Sequence, residues 1–314
     1  YKYPEMKIIC NAQTVRMLKQ FYNFDVDSKI QIIKEGETLK TGKHEFQFIM
    51  APMVHWPEVM VTYDKTDKVL FSADAFGSFG TLNGNLFNDD ISIEKDWISE
   101  ARRYYTNIVG KYGAQVQNLL KKASTIDIKM ICPLHGVIWR NNLEYLLKKY
   151  DKWSKYEPEE NGVLIVYSSV YGNTESVVSS LANYLGESGI KNIAVYDSSK
   201  TEVSYLVSES FRYSNIVIAA TTYNLGLFPK IANYLEDIKM LNLQNRTISI
   251  IENSTWVPGI VTKNIEKIFS EMNNMQILEN KISIKSSAKD YEYENIKNIG
   301  DEIVYNLKCK ENII

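Results

Sequence analysis

The chain has 314 residues, 45% hydrophobic and 24% charged, the composition of a globular protein of about two domains. Basic and acidic residues nearly balance, 36 against 38, which leaves no charge excess to hold a nucleic-acid backbone. No apolar run approaches the ~20 residues of a membrane helix, and three scattered cysteines (Cys10, Cys132, Cys309) make neither a disulfide framework nor a thiolate metal site, so a reducing, cytoplasmic setting is expected.

The chain opens on Tyr1 in what reads as the middle of an element. Residues 7–10 read as a strand, followed by a helix with Asn11 as its N-cap. Strand-like runs follow at 29–33, 45–50, 59–63 and 69–72. Residues 97–112 and 114–123 read as helices, 129–132 as a strand and 141–153 as a helix. Antiparallel hairpins followed by helices suggest one layer-half of an αβ domain. Residues 155–162, Lys-Tyr-Glu-Pro-Glu-Glu-Asn-Gly, are charged and carry Pro and Gly, which is linker composition. The expected division is therefore 1–157 and 158–314.

The second half alternates regularly. Strands at 163–167, 192–196, 216–220, 246–251 and 277–284 are interleaved with helices at 173–187, 203–213, 231–239, 262–269 and 291–308. That beat predicts an α/β domain with a doubly wound parallel sheet. The turn after its first strand is Ser168-Ser169-Val170-Tyr171-Gly172-Asn173-Thr174, leading straight into a helix. Hydroxyls, a permissive glycine and free N–H groups at a helix start make an anion cradle. The pattern is neither G-x-G-x-x-G nor a Walker loop, so dinucleotide and nucleoside-triphosphate readings are disfavoured. Two later turns, Thr221-Thr222-Tyr223-Asn224-Leu225-Gly226 and Glu252-Asn253-Ser254-Thr255-Trp256-Val257-Pro258-Gly259, also lie at carboxyl ends of strands, where open α/β sheets bind ligands. Tyr223 and Trp256 offer flat faces on which a ring could stack, though either could simply cap the sheet.

With these three loops the second half resembles the flavodoxin family. Tyr-Ser-Ser-Val-Tyr-Gly-Asn-Thr-Glu is similar to its phosphate loop, and the aromatic loops match its flavin-clamping loops in position. The resemblance implies strand order 2-1-3-4-5 and a bound FMN. The residues it would engage are 168–174 together with Thr222, Tyr223, Asn224, Gly226, Asn253, Ser254, Thr255 and Trp256.

The first half holds all three histidines. His44, in Thr-Gly-Lys-His-Glu, reads as a solvated turn residue. His55, Asp74 and His135 each stand just past a strand, and two imidazoles with a carboxylate suit iron, manganese or zinc. Taken singly, each has an ordinary structural reading. Together, His-Trp-Pro-Glu, Leu-Phe-Ser-Ala-Asp-Ala-Phe-Gly and Pro-Leu-His-Gly-Val-Ile-Trp resemble three metal-ligand motifs of flavodiiron proteins, in order and at that family's spacing. That family sets a metallo-β-lactamase-like αββα di-iron domain directly before a flavodoxin-like domain.

The resemblance implies that His55 and His135 each ligate one iron and that Asp74 bridges the two. Trp56, Phe76, Phe79 and Trp139 would wall the pocket, although ordinary core packing explains them equally well, and Cys132 would simply be buried. The family's first ligand motif, His-x-Glu-x-Asp-His, does not occur in these residues. It would belong before Tyr1, so the first domain is expected to be partial, its missing piece truncated, supplied by another polypeptide or lost. Thr221 stands where the family commonly has Pro. Glu252 opens the third loop, and a carboxylate near a flavin would disfavour its anionic reduced form. The implied activity is reduction of dioxygen to water or nitric oxide to nitrous oxide, with electrons from a rubredoxin-like donor. A head-to-tail homodimer or dimer of dimers is expected. The rivals are a flavodoxin-like electron carrier with a metal-free first half and a metallo-β-lactamase-fold hydrolase, which lacks here the His-rich first motif it would need.

Overall fold

The structure, a computed structural model, describes residues 2–23 and 27–311. They form two compact units, Tyr1–Lys155 and Tyr156–Ile314.

In the first unit, β1 (Ile8–Cys10) leads into α1 (Ala12–Phe21) and β2 (Ile30–Ile32), which pairs parallel with β1. Asn11 caps α1 as expected, its Oδ1 accepting from the Gln13 and Thr14 amides at 3.0 Å. A five-stranded sheet follows: β3 (Thr38–Thr41), β4 (His44–Met50), β5 (Met60–Asp64), β6 (Val69–Phe71) and β7 (Met130–Cys132). Neighbours pair antiparallel up to β6, and β7 joins β6 in parallel. β3 is absent from the sequence reading because Thr-Leu-Lys-Thr is an edge strand with little to bury. It is joined to β4 through Gly42, whose φ of 59° suits a tight hairpin.

The single helix expected over 97–112 is broken. α2 (Ile98–Tyr104) lies between two wide, π-type turns, Ile93–Trp97 and Tyr105–Val109, and a 3₁₀ turn over Gly110–Tyr112 leads to α3 (Gly113–Ala123). The wide turn at Tyr105 lets the consecutive tyrosines Tyr104 and Tyr105 both face inward, which regular helical spacing does not favour. Tyr105 packs edge-on to Tyr150 and beside Trp153 of α4 (Leu143–Ser154).

His44 is not a solvated turn residue. It opens β4, and its Nδ1 lies 2.7 Å from Oδ2 of the buried Asp64. Burial alone would raise the Asp64 carboxyl, but the Thr66 amide, the His44 ring and the Asp67 amide together hold it below its ordinary value. A depressed carboxyl contributes stability that is complete above its unfolded-state pKa, ~3.9, and is lost as pH falls through the folded value. Acid unfolding of Asp64→Asn should therefore depend less on pH below about 4 than that of the parent; parallel curves would remove this role.

The second unit is a parallel sheet of β8 (Glu160–Tyr167), β9 (Ile193–Asp197), β10 (Tyr213–Tyr223), β12 (Thr247–Asn253) and β13 (Gln276–Ile284), with a two-residue β11 (Gly226–Leu227) hairpinned onto β10. The order β9-β8-β10-β12-β13 is the expected 2-1-3-4-5. The interleaved helices are α5 (Asn173–Glu187), α6 (Val203–Arg212), α7 (Pro229–Met240), α8 (Ile260–Ser270) and α9 (Glu292–Glu311). α5 and α9 cover one face with Val177, Val178, Leu181, Ile299 and Ile303 against Val163, Ile165 and Val217. Strands buried on both faces explain why these segments read as unbroken apolar runs.

Candidate functional site

In the first unit three loops meet. Asp74 lies in the turn after β6, where Ser72 Oγ donates to the Ala75 carbonyl and Ala73 and Phe76 take positive φ. His135 lies in the loop after β7. The two loops are stitched by Leu134 N to Ala73 O (2.9 Å) and Ser78 N to His135 O (3.3 Å). His55 lies in the β4–β5 loop, which Asn11 Nδ2 ties down at the Glu58 carbonyl, 2.7 Å away. The Val54–His55 peptide is cis.

Asp74 stands between the two imidazoles. Oδ2 is 3.7 Å from His55 Nε2, and Oδ1 is 3.3 Å from His135 Nε2. One carboxylate oxygen thus faces each ring, the arrangement that suits a carboxylate shared by two ions. Two imidazoles and an anionic oxygen pair suit a divalent first-row ion, but three residues are fewer than two such ions take.

Tyr104 completes the surroundings and was not found from sequence. Its hydroxyl donates to Asp74 Oδ1 at 3.3 Å, and its ring lies 5.6 Å from that of His135 and 5.2 Å from Phe79. Burial first, then the Asp74 charge and hydrogen bond, hold its phenol well above the usual value. The aromatic wall is partly corrected. Phe76 and Trp139 are fully buried core residues, Phe76 packing on Tyr150 at 4.7 Å, whereas Trp56 is exposed with its edge on His55. Cys132 is half-buried rather than buried. His44, Asp64 and Asp67 form a second cluster whose ligand atoms lie within 4.8 Å, with the contacts already described.

Gly136 permits the close approach of the His135 loop. Its φ is 87°, and a Cβ there would lie 2.0 Å from Ser78 Oγ and 3.2 Å from Ser78 Cβ. Gly136→Ala should cost about 1–2 kcal/mol from the left-handed backbone alone. It should also displace His135, weakening Co(II) binding by at least about 10-fold. Denaturant melts and metal titration check both, and unchanged metal affinity would show that His135 tolerates the shift.

In the second unit the three sequence-predicted loops converge on one cavity of about 530 Å³ at the carboxyl ends of the strands. Ser169, Val170, Tyr171, Asn173, Thr174, Thr222, Tyr223, Asn224, Asn253, Ser254, Thr255 and Trp256 all line it. Ser168, Gly172 and Gly226 do not. Ser168 is buried beneath the loop with its Oγ accepting from Thr221 N, Gly172 takes φ 83° at the start of α5, and Gly226 pairs with Tyr223 in the small hairpin. Sequence reading missed Ser286, which reaches the cavity from the loop after β13. Tyr171 and Trp256 are about nine-tenths exposed at the rim, 89% and 91%.

Glu252 is not a wall of this cavity. Its buried carboxylate accepts from the Gly259 and Thr262 amides and the Thr262 hydroxyl, capping α8. The expected influence on a flavin therefore has no direct contact behind it.

The fit of FMN rests on donors without acceptors. Ser169 Oγ and Ser254 Oγ are buried with no hydrogen-bond partner among the described residues, and no side chain caps the N-terminus of α5. Both serines line the cavity, so a phosphate there would satisfy two orphan hydroxyls and the free amides of a helix start.

The chain thus combines a β-lactamase-like unit bearing a His-Asp-His cluster with a flavodoxin-like unit bearing an anion cradle. The ODP family beta lactamase profile matches residues 1–136. The anaerobic nitric oxide reductase flavorubredoxin of Escherichia coli is 27% identical over 264 residues, covering 83% of this chain and 54% of its own length. An uncharacterized protein of Methanocaldococcus jannaschii is 26% identical over 283 residues, 90% of this chain and 70% of that one. The rubredoxin oxygen:oxidoreductase of Desulfovibrio gigas superposes with a TM-score of 0.88 at 28% identity, over 97% of this chain and 75% of that one. In sequence and in fold the chain is similar to flavodiiron proteins. It spans about half the length of the flavorubredoxins it matches.

Proposed function

We propose that this chain is the core of an FMN- and di-iron-dependent oxidoreductase. It would reduce dioxygen to water, nitric oxide to nitrous oxide, or both, with electrons from a rubredoxin-like donor. The observation that carries the reading is the Asp74 carboxylate, with one oxygen turned to each imidazole. FMN supplies one- and two-electron chemistry, and an iron pair supplies binding for O2 or two NO molecules. His55 and His135 would each hold one iron and Asp74 both, with Tyr104 restraining the carboxylate through Oδ1. The reading requires further iron ligands beyond these three. In the flavodoxin-like unit, Ser169, Ser254 and Thr174 would hold the FMN phosphate, and Tyr223 and Trp256 would stack on its ring.

The Escherichia coli nitric oxide reductase flavorubredoxin and the Desulfovibrio gigas rubredoxin oxygen:oxidoreductase, both similar to this chain, support this reaction class. A head-to-tail homodimer, or a dimer of such dimers, would bring one subunit's flavin beside the other's irons. No helix among the described residues is long and apolar enough to cross a membrane, and a cytoplasmic setting accords with three free cysteines.

The test is to count FMN and iron per chain in the purified protein, then follow O2 and NO consumption with reduced rubredoxin. One FMN, two irons and turnover of either gas support the proposal. One FMN with no iron and no turnover would replace it with a flavodoxin-like electron carrier whose first unit is metal-free.

A further inference from the structure

Asn253 ends β12 and is mostly buried beside the cavity. Its Nδ2 donates to the Ser286 carbonyl at 2.9 Å and to Thr174 Oγ1 at 3.3 Å. A carbonyl can only accept, so the amide nitrogen must face Ser286, and both of its hydrogens are then committed. Thr174, the second residue of α5, consequently receives a hydrogen bond through its oxygen. Its own proton is left to point elsewhere, and among the described residues that proton has no acceptor. Thr174 lines the same cavity as the orphan hydroxyls of Ser169 and Ser254.

We propose that Asn253 is a positioning residue that holds Thr174 as a hydrogen-bond donor toward the phosphate of a flavin mononucleotide. The inference rests on the flavin reading above. Asn253 itself spends its donors inside the protein, and what it supplies is the direction of the Thr174 O–H before the ligand arrives. The same amide anchors the fourth loop, where Ser286 takes φ 71° and its Oγ lies 3.0 Å from Thr255 Oγ1. A hydroxyl already aimed at a dianionic phosphate avoids part of the ordering cost of binding. Its hydrogen bond to charge is also of the stronger kind.

The two flavins that differ only in the phosphate provide the test. Apo-protein is titrated with FMN and with riboflavin by flavin fluorescence, for the parent, Asn253→Ala, Asn253→Asp and Thr174→Val. Asn253→Ala should weaken FMN about 10- to 100-fold, as expected for losing a hydrogen bond to a charged group. Riboflavin should change by less than about 3-fold. Asn253→Asp should weaken FMN further, because a carboxylate would accept the Thr174 proton and add negative charge near the cradle. Thr174→Val reads the same contact from the other side should Asn253→Ala fold poorly, and adding Asn253→Ala to it should cost FMN binding little more. Equal losses for FMN and riboflavin, or none in any variant, overturn the positioning role. A parent protein that binds neither flavin overturns the flavin reading, and the inference with it.

Discussion

Asp74→Ala should remove metal binding almost entirely, with affinity for a divalent first-row ion falling by at least about 100-fold. Asp74 is the only residue of the cluster within 4 Å of both imidazoles among the described contacts, with its oxygens 3.7 Å and 3.3 Å from His55 and His135. Removing it leaves two neutral nitrogens with no anionic oxygen between them, a poor site for hard or borderline ions. Asp74→Asn keeps the shape and one acceptor oxygen but loses the charge, so its affinity should fall between the two. Elemental analysis and Co(II) titration of the three proteins give the order. A second consequence is visible without metal. Tyr104 owes its raised phenol first to burial and then to Asp74, so its titration in Asp74→Ala should move down toward, but stay above, the ordinary value near 10. Ultraviolet difference spectra at high pH report this. Metal affinity undiminished in Asp74→Ala would remove the carboxylate from the site.

Arg246→Ala should destabilise the second unit by about 3–5 kcal/mol and lower its midpoint by roughly 10 °C or more. Arg246 is fully buried and donates to five backbone carbonyls. Nε donates to Ser210, Nη2 to Phe211, and Nη1 to Tyr156, Gln244 and Asn245, at 2.7–3.3 Å. Two of these carbonyls belong to the last turn of α6, where no helical donor remains for them. Burial pulls the guanidinium down to about 9, so it is still charged at pH 7 and suits the negative end of that helix. Each carbonyl left without a donor costs about 1–3 kcal/mol, moderated by water entry. Arg246→Lys keeps the charge but not the fork, so it should recover less than half of the loss. Thermal melts of the three proteins decide; a loss below about 1 kcal/mol in Arg246→Ala would show that water replaces the fork freely.

The two units differed in how much could be read ahead of the structure. In the second unit every large element was anticipated, because parallel strands buried on both faces are continuous apolar runs and the helices between them repeat at 3.6 residues. The edge strand β3 was missed because four residues with one half-buried leucine leave no pattern. The helix over 97–112 was drawn unbroken because the residues that turn it wide, Tyr104 and Tyr105, are aromatic like any core pair.

Both candidate sites were legible where the signal was local. Turn composition at strand ends pointed to the cavity loops, and histidines so few in number drew attention to His55 and His135. His44 reads as a solvated turn residue from its neighbours alone, because its partner Asp64 lies twenty residues on, at the end of the next strand. Tyr104 and Ser286 were missed because nothing in their own neighbourhoods separates them from packing and turn residues.

The order of residues alone therefore determined the alternation of elements and the strand-end loops that line the cavity, since these follow from short-range periodicity and turn preferences. Tertiary structure decided which side chains meet. The facing of Asp74 to two imidazoles, the Tyr104 hydroxyl upon it, and the Asn253 amide shared between Thr174 and Ser286 join residues 19 to 79 positions apart. Such contacts depend on strand order and loop stitching, which no window of local sequence encodes.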